Sequence, residues 1–351
     1  MIFKGLEYRP YKSRINWIDI ARCISIAIIV YAHTYDEAII SDFVHVFHVP
    51  VFFVLSGLVW KKAKDMKAFL YSMLKNLLIP YLIAGAFSIV AYQIMGSMFS
   101  GNKLGWIDCI KGLLYANSRT GLMNWNRPLW FIPCLVTTRF MWELIAKVKK
   151  EYVQYLVVAG LVALGAIVVK TDLASIKLPW EAEVAVHALL YFSMGVLISR
   201  HTPIRSNDFA EKTSLARLLP VITVSFGICM LVFNINPEPI SFQYNHYGVY
   251  PLFVFGAFAG ATFVGGISLY IRQSKLLETV GQNSLNVLLW HKFPILIFQA
   301  TGFGKKCMKT PDTATSILIG LGVVVVSIAV SLAIAFVISK ILGFFLEKKN
   351  S

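Results

Sequence analysis

The chain has 351 residues, of which 57% are hydrophobic and only 15% charged, with a mean hydropathy of +0.66; a soluble domain is about half apolar and about a quarter charged. A formal net charge of +15 would suit nucleic acid only if the basic residues formed one patch or arm, and here they lie between apolar stretches, so no nucleic-acid partner is expected. The cysteines (Cys23, Cys109, Cys134, Cys229, Cys307) have no metal-ligand spacing, so neither a metal site nor a disulfide framework is expected.

Residues 1–14 hold Lys4, Arg9, Lys12 and Arg14 and are expected to form a cytoplasmic N-terminal segment. The apolar run behind them carries Asp19 and Arg22 and has no small-residue cleavage site, so it is read as a retained helix and not a leader. Apolar stretches of roughly 17 to 25 residues, enough to cross about 30 Å of hydrocarbon, are expected at about 15–35, 44–60, 69–97, 128–146, 152–169, 183–199, 218–234, 248–270, 283–300 and 314–346. The expected fold class is all-α: a polytopic integral membrane helix bundle of about ten transmembrane helices, one domain over 1–351, seated in a lipid bilayer.

An even number of crossings puts both termini on one side. Cytoplasmic loops concentrate Lys and Arg. The KKAKDMK loop, the KVKK loop, the stretch from Arg200 to Arg217, the Arg272 and Lys275 loop and Lys348-Lys349 all fall on the side of the N-terminus, so both termini are expected in the cytoplasm. The loop at 98–127 is the longest external segment, and its Trp106, Tyr115 and Trp125 suit a short helix lying at the interface.

A charge at bilayer depth costs at least about 2.5 to 3.5 kcal/mol, so each needs a partner, a wet cavity or a task. In the first helix, Asp19, Arg22 and His33 fall within about 60° of one stripe at 100° per residue, and Arg22 and His33 are roughly 16 Å apart along the axis. Two readings of the stripe stand side by side: an i,i+3 ion pair plus an interfacial histidine, or a functional polar face. In FHVPVFFVLSG, His48 is either a packed histidine or a site residue, and the small pair Ser56-Gly57 permits close helix approach. In NRPLWFIPCL, Arg127 is either a headgroup anchor or part of a site, with Trp130 beside it. In GQNSLNVLLWHKFP, Ser284 and His291 lie seven residues apart near one helix face.

Histidine suits proton transfer because its ordinary pKa is near neutrality, and a hydroxyl attacking a thioester needs a base. Arginine and lysine at a cytoplasmic mouth suit the phosphates of a nucleotide-like donor. Periodicity alone leaves a proton-coupled transporter equally open.

At five motifs the sequence resembles the acyltransferase 3 family, most closely its branch of fucose 4-O-acetylase-like and polysaccharide O-acetyltransferases. They are INWIDIARCISIAIIVYAHT, FHVPVFFVLSG, KNLLIPYL, PLWFIPCL and GQNSLNVLLWHKFP, in the family's order over nearly the full length. The resemblance implies an O-acetyltransferase of a bacterial inner membrane that moves an acetyl or other short acyl group from cytoplasmic acyl-CoA, as donor substrate, to a hydroxyl of a surface or exported glycan. Carried over residue by residue, it implies His33 as catalytic base or transient acyl carrier; Asp19 and His48 are counted with it as catalytic candidates. Arg22, Lys75, Lys61 and Lys62 are implied at the acetyl-CoA site, and Ser56, Gly57, Arg127, Trp130, Ser284 and His291 as substrate or structural motif positions. Where many members carry two arginines ahead of the third-span proline, this chain has only Lys75, a point charge without arginine's fork. The alternatives are a multi-spanning transporter or flippase of a glycan or lipid-linked precursor, and a non-catalytic family member acting as a partner.

Overall fold

The computed structural model describes residues 14–35, 38–96 and 103–347. The expected N-terminal segment up to residue 13, residues 98–102 of the expected external loop, and Lys348-Lys349 lie outside the described residues.

The described residues form helices without a strand, and seven helices are long and apolar enough to cross a membrane. In chain order the helices are α1 (Asn16–Ala32), α2 (Ile39–His45), α3 (His48–Leu58), α4 (Met66–Met73), α5 (Ile79–Ile94), α6 (Trp106–Tyr115), α7 (Phe131–Ile145), α8 (Glu151–Val168) and α9 (Ala182–His201). They continue as α10 (Asn207–Lys212), α11 (Leu215–Ile235), α12 (Tyr250–Ile271), α13 (Lys275–Gln282), α14 (Ser284–Trp290), α15 (Lys292–Ala300), α16 (Gly302–Lys309) and α17 (Ala314–Glu347). The chain is a polytopic all-α membrane bundle.

Three of the expected spans, the first, fourth and ninth, are not among the seven long apolar helices, and all three contribute to the interior. α1 is 17 residues long and carries Asp19 and Arg22. α7 is 15 residues long and is entered through a 3-10 turn at Arg127–Trp130. The ninth expected span is α13, α14 and α15, broken at Asn283 (φ −106, ψ 15) and turning again at His291. The second span also departs from expectation. It starts at Ile39 and breaks at Val46–Phe47, where Phe47 has φ −143 and ψ −17, immediately before His48. In the third span, α4 and α5 are joined by a π-helical stretch, Leu74–Leu78, which contains Lys75.

Lipid exposure sorts the helices. In the apolar 18-residue stretch of each span, only 17% of residues are buried in α8 and 22% in α11 and in Ala314–Ile341 of α17, against 61% in Ile39–Leu58, so the former face outward and α2 and α3 are central. α1 packs against α3, α12, α13, α14 and α17, which makes it the axis of the bundle. Close approach is set by small residues, as expected where apolar burial gives helices no preference for each other over lipid. A Cβ on Gly57 would overlap the Phe192 carbonyl oxygen, and one on Gly195 the Val54 carbonyl oxygen, so α3 and α9 touch backbone to backbone. A Cβ on Gly281 would overlap the Asp19 carbonyl oxygen, which brings α13 equally close to α1.

Polar cross-links define the two ends. At one, Asn207 Nδ2 donates to the Arg14 carbonyl (3.0 Å), Trp17 Nε1 to the Ile204 carbonyl (2.9 Å) and Arg200 Nη1 to Glu151 Oε1 (3.1 Å). This end carries Arg14, Arg200, Arg205 and Arg272, and it is the end assigned to the cytoplasm by the loop charges. At the other, Glu181 Oε1 accepts from both N–H and Oγ of Ser118 at 2.6 Å, and Asn117 Nδ2 donates to Glu183 Oε1 at 2.7 Å. These bonds pin the segment that leads to Pro128 and Trp130. Asn126, fully buried, reinforces it by donating to Ser88 Oγ (3.0 Å) and the Leu289 carbonyl (3.3 Å).

Candidate active site

The polar stripe of α1 opens onto two adjoining cavities. The inner one, about 220 Å³, is lined by Arg22, Ile26 and Ile29 of α1, Phe52 and Ser56 of α3, Leu77, Phe131 and Leu135, and Gly281, Gln282, Ser284, Leu285 and Leu288. The outer one, about 50 Å³, is lined by Ile29 and His33 of α1, His45, His48 and Val49, Pro128, Trp130 and Phe131, Ser241, Phe242 and Gln243, and Leu288. Ile29, Phe131 and Leu288 line both and form the apolar partition between them. Residues picked out from separate sequence motifs thus converge: Arg22, Ser56 and Ser284 on the inner chamber, His33, His48 and Trp130 on the outer.

Arg22 is held in place from below. The Asp19 carboxylate, 3% exposed, accepts from Arg14 Nε (2.8 Å) and Nη2 (3.0 Å) and from Arg22 Nη1 (3.1 Å). Asp19, counted among the catalytic candidates, does not reach His33. Fourteen residues of helix put them roughly 21 Å apart, and the carboxylate is taken up by two guanidiniums. Asp19 is a positioning group for Arg22.

His33 sits at the C-terminal end of α1, where Gln299 Nε2 donates to the His33 and Thr34 carbonyls at 3.3 and 3.1 Å. Its ring stacks on that of His291, with centroids 5.4 Å apart and planes at 28°. The break at Phe47 sets the adjoining pair: the His45 and His48 rings meet edge to face at 4.7 Å. His48 Nδ1 is 2.9 Å from the Val44 carbonyl, and His45 Nδ1 contacts the Ser41 carbonyl. A carbonyl only accepts, so in both rings Nδ1 carries the hydrogen, and in the neutral form of each ring Nε2 carries the lone pair. The same holds for His291, whose Nδ1 is 3.0 Å from the Val287 and Leu288 carbonyls while its Nε2 is buried without a partner.

Other expected residues fall elsewhere. Lys61 and Lys62 are exposed and, with Lys75, lie outside the lining of either chamber; Lys75 Nζ stands 5.7 Å over the Tyr71 ring. Arg127 is exposed, donates to Asn124 Oδ1 at 3.1 Å and also lies outside both chambers, which fits the anchor reading. Gly57 belongs to the α3–α9 contact while its neighbour Ser56 lines the inner chamber. Sequence reasoning missed Gln243, which sits in a connecting segment with no motif, and the partition residues, which look like any other apolar positions. His45 carried a signal, the i,i+3 spacing to His48. Among the described residues no group of three or more His, Cys, Asp or Glu is arranged to hold a metal ion.

A family model described as an acyltransferase domain matches residues 15–338, which takes in every residue lining the two chambers. The chain belongs to the acyltransferase 3 family. No curated protein and no solved structure matches it. In this membrane acyltransferase a cation lines one chamber and imidazoles line the next. That arrangement provides, in one bundle, an anion-holding group and a proton acceptor separated by an apolar barrier.

Proposed function

We propose that this acyltransferase takes an acetyl or other short acyl group from cytoplasmic acyl-CoA and transfers it to a hydroxyl of a cell-surface or exported polysaccharide across a bacterial inner membrane. The observation that carries the reading is the pair of chambers along one face of α1, with Arg22 in the inner and His33 in the outer.

In this reading the donor's phosphates meet cations at the inner end, with Arg22, braced by Asp19, as the innermost. A guanidinium offers the forked donor set that phosphate oxygens match. The pantetheine arm follows the inner chamber past Ser56 and Ser284, and the thioester meets the glycan hydroxyl in the outer chamber. His33 takes the hydroxyl proton as the oxygen attacks the carbonyl carbon; when the C–S bond breaks, the proton goes to the departing CoA thiolate. The Asp19–Arg22 pair serves placement of the donor, and His33 serves the chemistry. Loss of His33 therefore acts on kcat, while loss of Asp19 or Arg22 acts first on KM for the donor.

Comparison of surface glycans from cells with and without the protein, by NMR, tests the acceptor class. Acyl esters present only with the protein support the reading. Identical glycans with altered export would favour a transporter and sink it.

A further inference from the structure

We propose that Gln243 supplies the hydrogen bond that holds the carbonyl oxygen of the transferring acyl group in the outer chamber; the inference rests on the acyl-transfer reading above. The outer chamber is lined by three imidazoles, apolar walls, the Ser241 hydroxyl, the Trp130 indole and the Gln243 amide. His45 and His48 spend their Nδ1–H on backbone carbonyls, so in their neutral form they offer only a lone pair on Nε2, while Ile29, Val49, Phe131 and Leu288 contribute no polar group. Acyl transfer builds negative charge on the carbonyl oxygen, and in a water-excluded site a fixed donor aimed at that oxygen is worth far more than in water.

Gln243 is the lining residue whose buried donor is free: its Nε2 is buried and has no hydrogen-bond partner. An amide N–H buried unpaired is a standing cost to the fold, and such groups are rare in native proteins unless a substrate or a catalytic task pairs them. The turn that carries it is held firmly. Phe242–Tyr244 is a 3-10 turn closed by reciprocal backbone bonds between Ser241 and His246, at 2.8 and 3.0 Å. Phe242 is buried and stacks on Phe53 at 6.0 Å, the α3 residue just inward of the His48 turn. The backbone that carries the donor is thus held before substrate arrives, which favours electrostatic stabilisation of a transition state.

The chamber's size says which part of the substrates enters whole. At about 50 Å³, where one water needs roughly 10–15 Å³ on the same measure, it holds a group the size of a few waters. That is the scale of an acetyl group and too small for a sugar ring. A thioester carbonyl oxygen only accepts, and so complements an amide donor. The hydroxyl oxygen bonds to the carbonyl carbon, its proton passes to His33, and the C=O π pair moves onto the oxygen held by Gln243. When that pair returns, the C–S bond breaks and the thiolate takes the proton from the imidazolium.

The test is Gln243→Leu and Gln243→Glu in purified, reconstituted protein. Acetyl transfer kinetics, acetyl-CoA binding and thermal unfolding are measured beside wild type and His33→Ala. The expected result is a fall in kcat on the order of 100-fold, acetyl-CoA binding unchanged, and a melting temperature for Gln243→Leu equal to or above wild type, because an unpaired donor has been removed. Gln243→Glu keeps the shape, replaces the donor with a carboxylate and should fall at least as far, so it decides the matter if the leucine variant does not fold. Wild-type kcat in these variants, or a loss expressed only in KM for the glycan, overturns the proposal. If His33→Ala is inactive while Gln243→Leu is not, this inference fails and the acyl-transfer reading stands; if His33→Ala is fully active, the reading beneath it fails.

Discussion

Asp19→Ala separates positioning from chemistry. Its carboxylate, nearly fully buried, makes charge-assisted bonds to Arg14 at 2.8 and 3.0 Å and to Arg22 at 3.1 Å. Hydrogen bonds to charged groups contribute about 1.5 to 3 kcal/mol each. Arg14 and Arg22 are 25% and 21% exposed, so water recovers part of what the cations lose, and the lower end of that range applies to each. Losing the bond that fixes Arg22 lets the guanidinium swing away from the inner chamber. At about 1.4 kcal/mol per tenfold, KM for acetyl-CoA rises by about 10-fold and by no more than about 100-fold, with kcat little changed. Steady-state kinetics with reconstituted protein, varying acetyl-CoA at saturating acceptor, reads this directly. If Asp19→Ala leaves KM for the donor at the wild-type value, or lowers kcat alone, Asp19 does not act by holding Arg22.

Two further outcomes follow from the packing. Gly57→Val pushes a Cβ into the Phe192 carbonyl oxygen and against Gly195 Cα; both are backbone, so the strain of about 1–3 kcal/mol or more should appear as a lower yield of folded protein by fluorescence-detected size exclusion, with kcat per folded molecule preserved. Wild-type yield would show that α3 and α9 can part cheaply. Phe131→Ala removes the aromatic ring of the partition and joins the chambers. Competition between acetyl-CoA and butyryl-CoA should shift toward the longer chain, and an unchanged preference would show that the partition does not limit acyl size.

The membrane class and the spans with uniform apolar runs, such as α8, α11 and α17, were legible because a lipid-facing helix must be apolar along its length. The segments read with the largest errors are those that build the site. The break at Phe47 and the interruptions at Asn283 and His291 place polar side chains in the bundle interior, where irregular backbone is tolerated because protein covers it. Periodicity assumes an unbroken helix and cannot register such breaks. The stripe of Arg22 and His33 was readable for the opposite reason, since α1 runs unbroken from Asn16 to Ala32 and its angular arithmetic holds. Spacing cannot report occupancy: Asp19 shares the stripe, yet Arg14, which lies before the helix, completes its ion pairs. Gln243 and the partition of Ile29, Phe131 and Leu288 depend on contacts between segments far apart in sequence, which no local pattern encodes.

The most direct test of the central claim uses sealed vesicles in which acetyl-labelled CoA is supplied only on the face bearing Arg14 and Arg200, with the glycan acceptor only on the opposite face. Labelled glycan should form with wild-type protein and fall by roughly 100-fold or more with a correctly inserted His33→Ala protein. Label transfer at the wild-type rate by His33→Ala, or movement of glycan without consumption of acetyl-CoA by the wild type, would contradict the account.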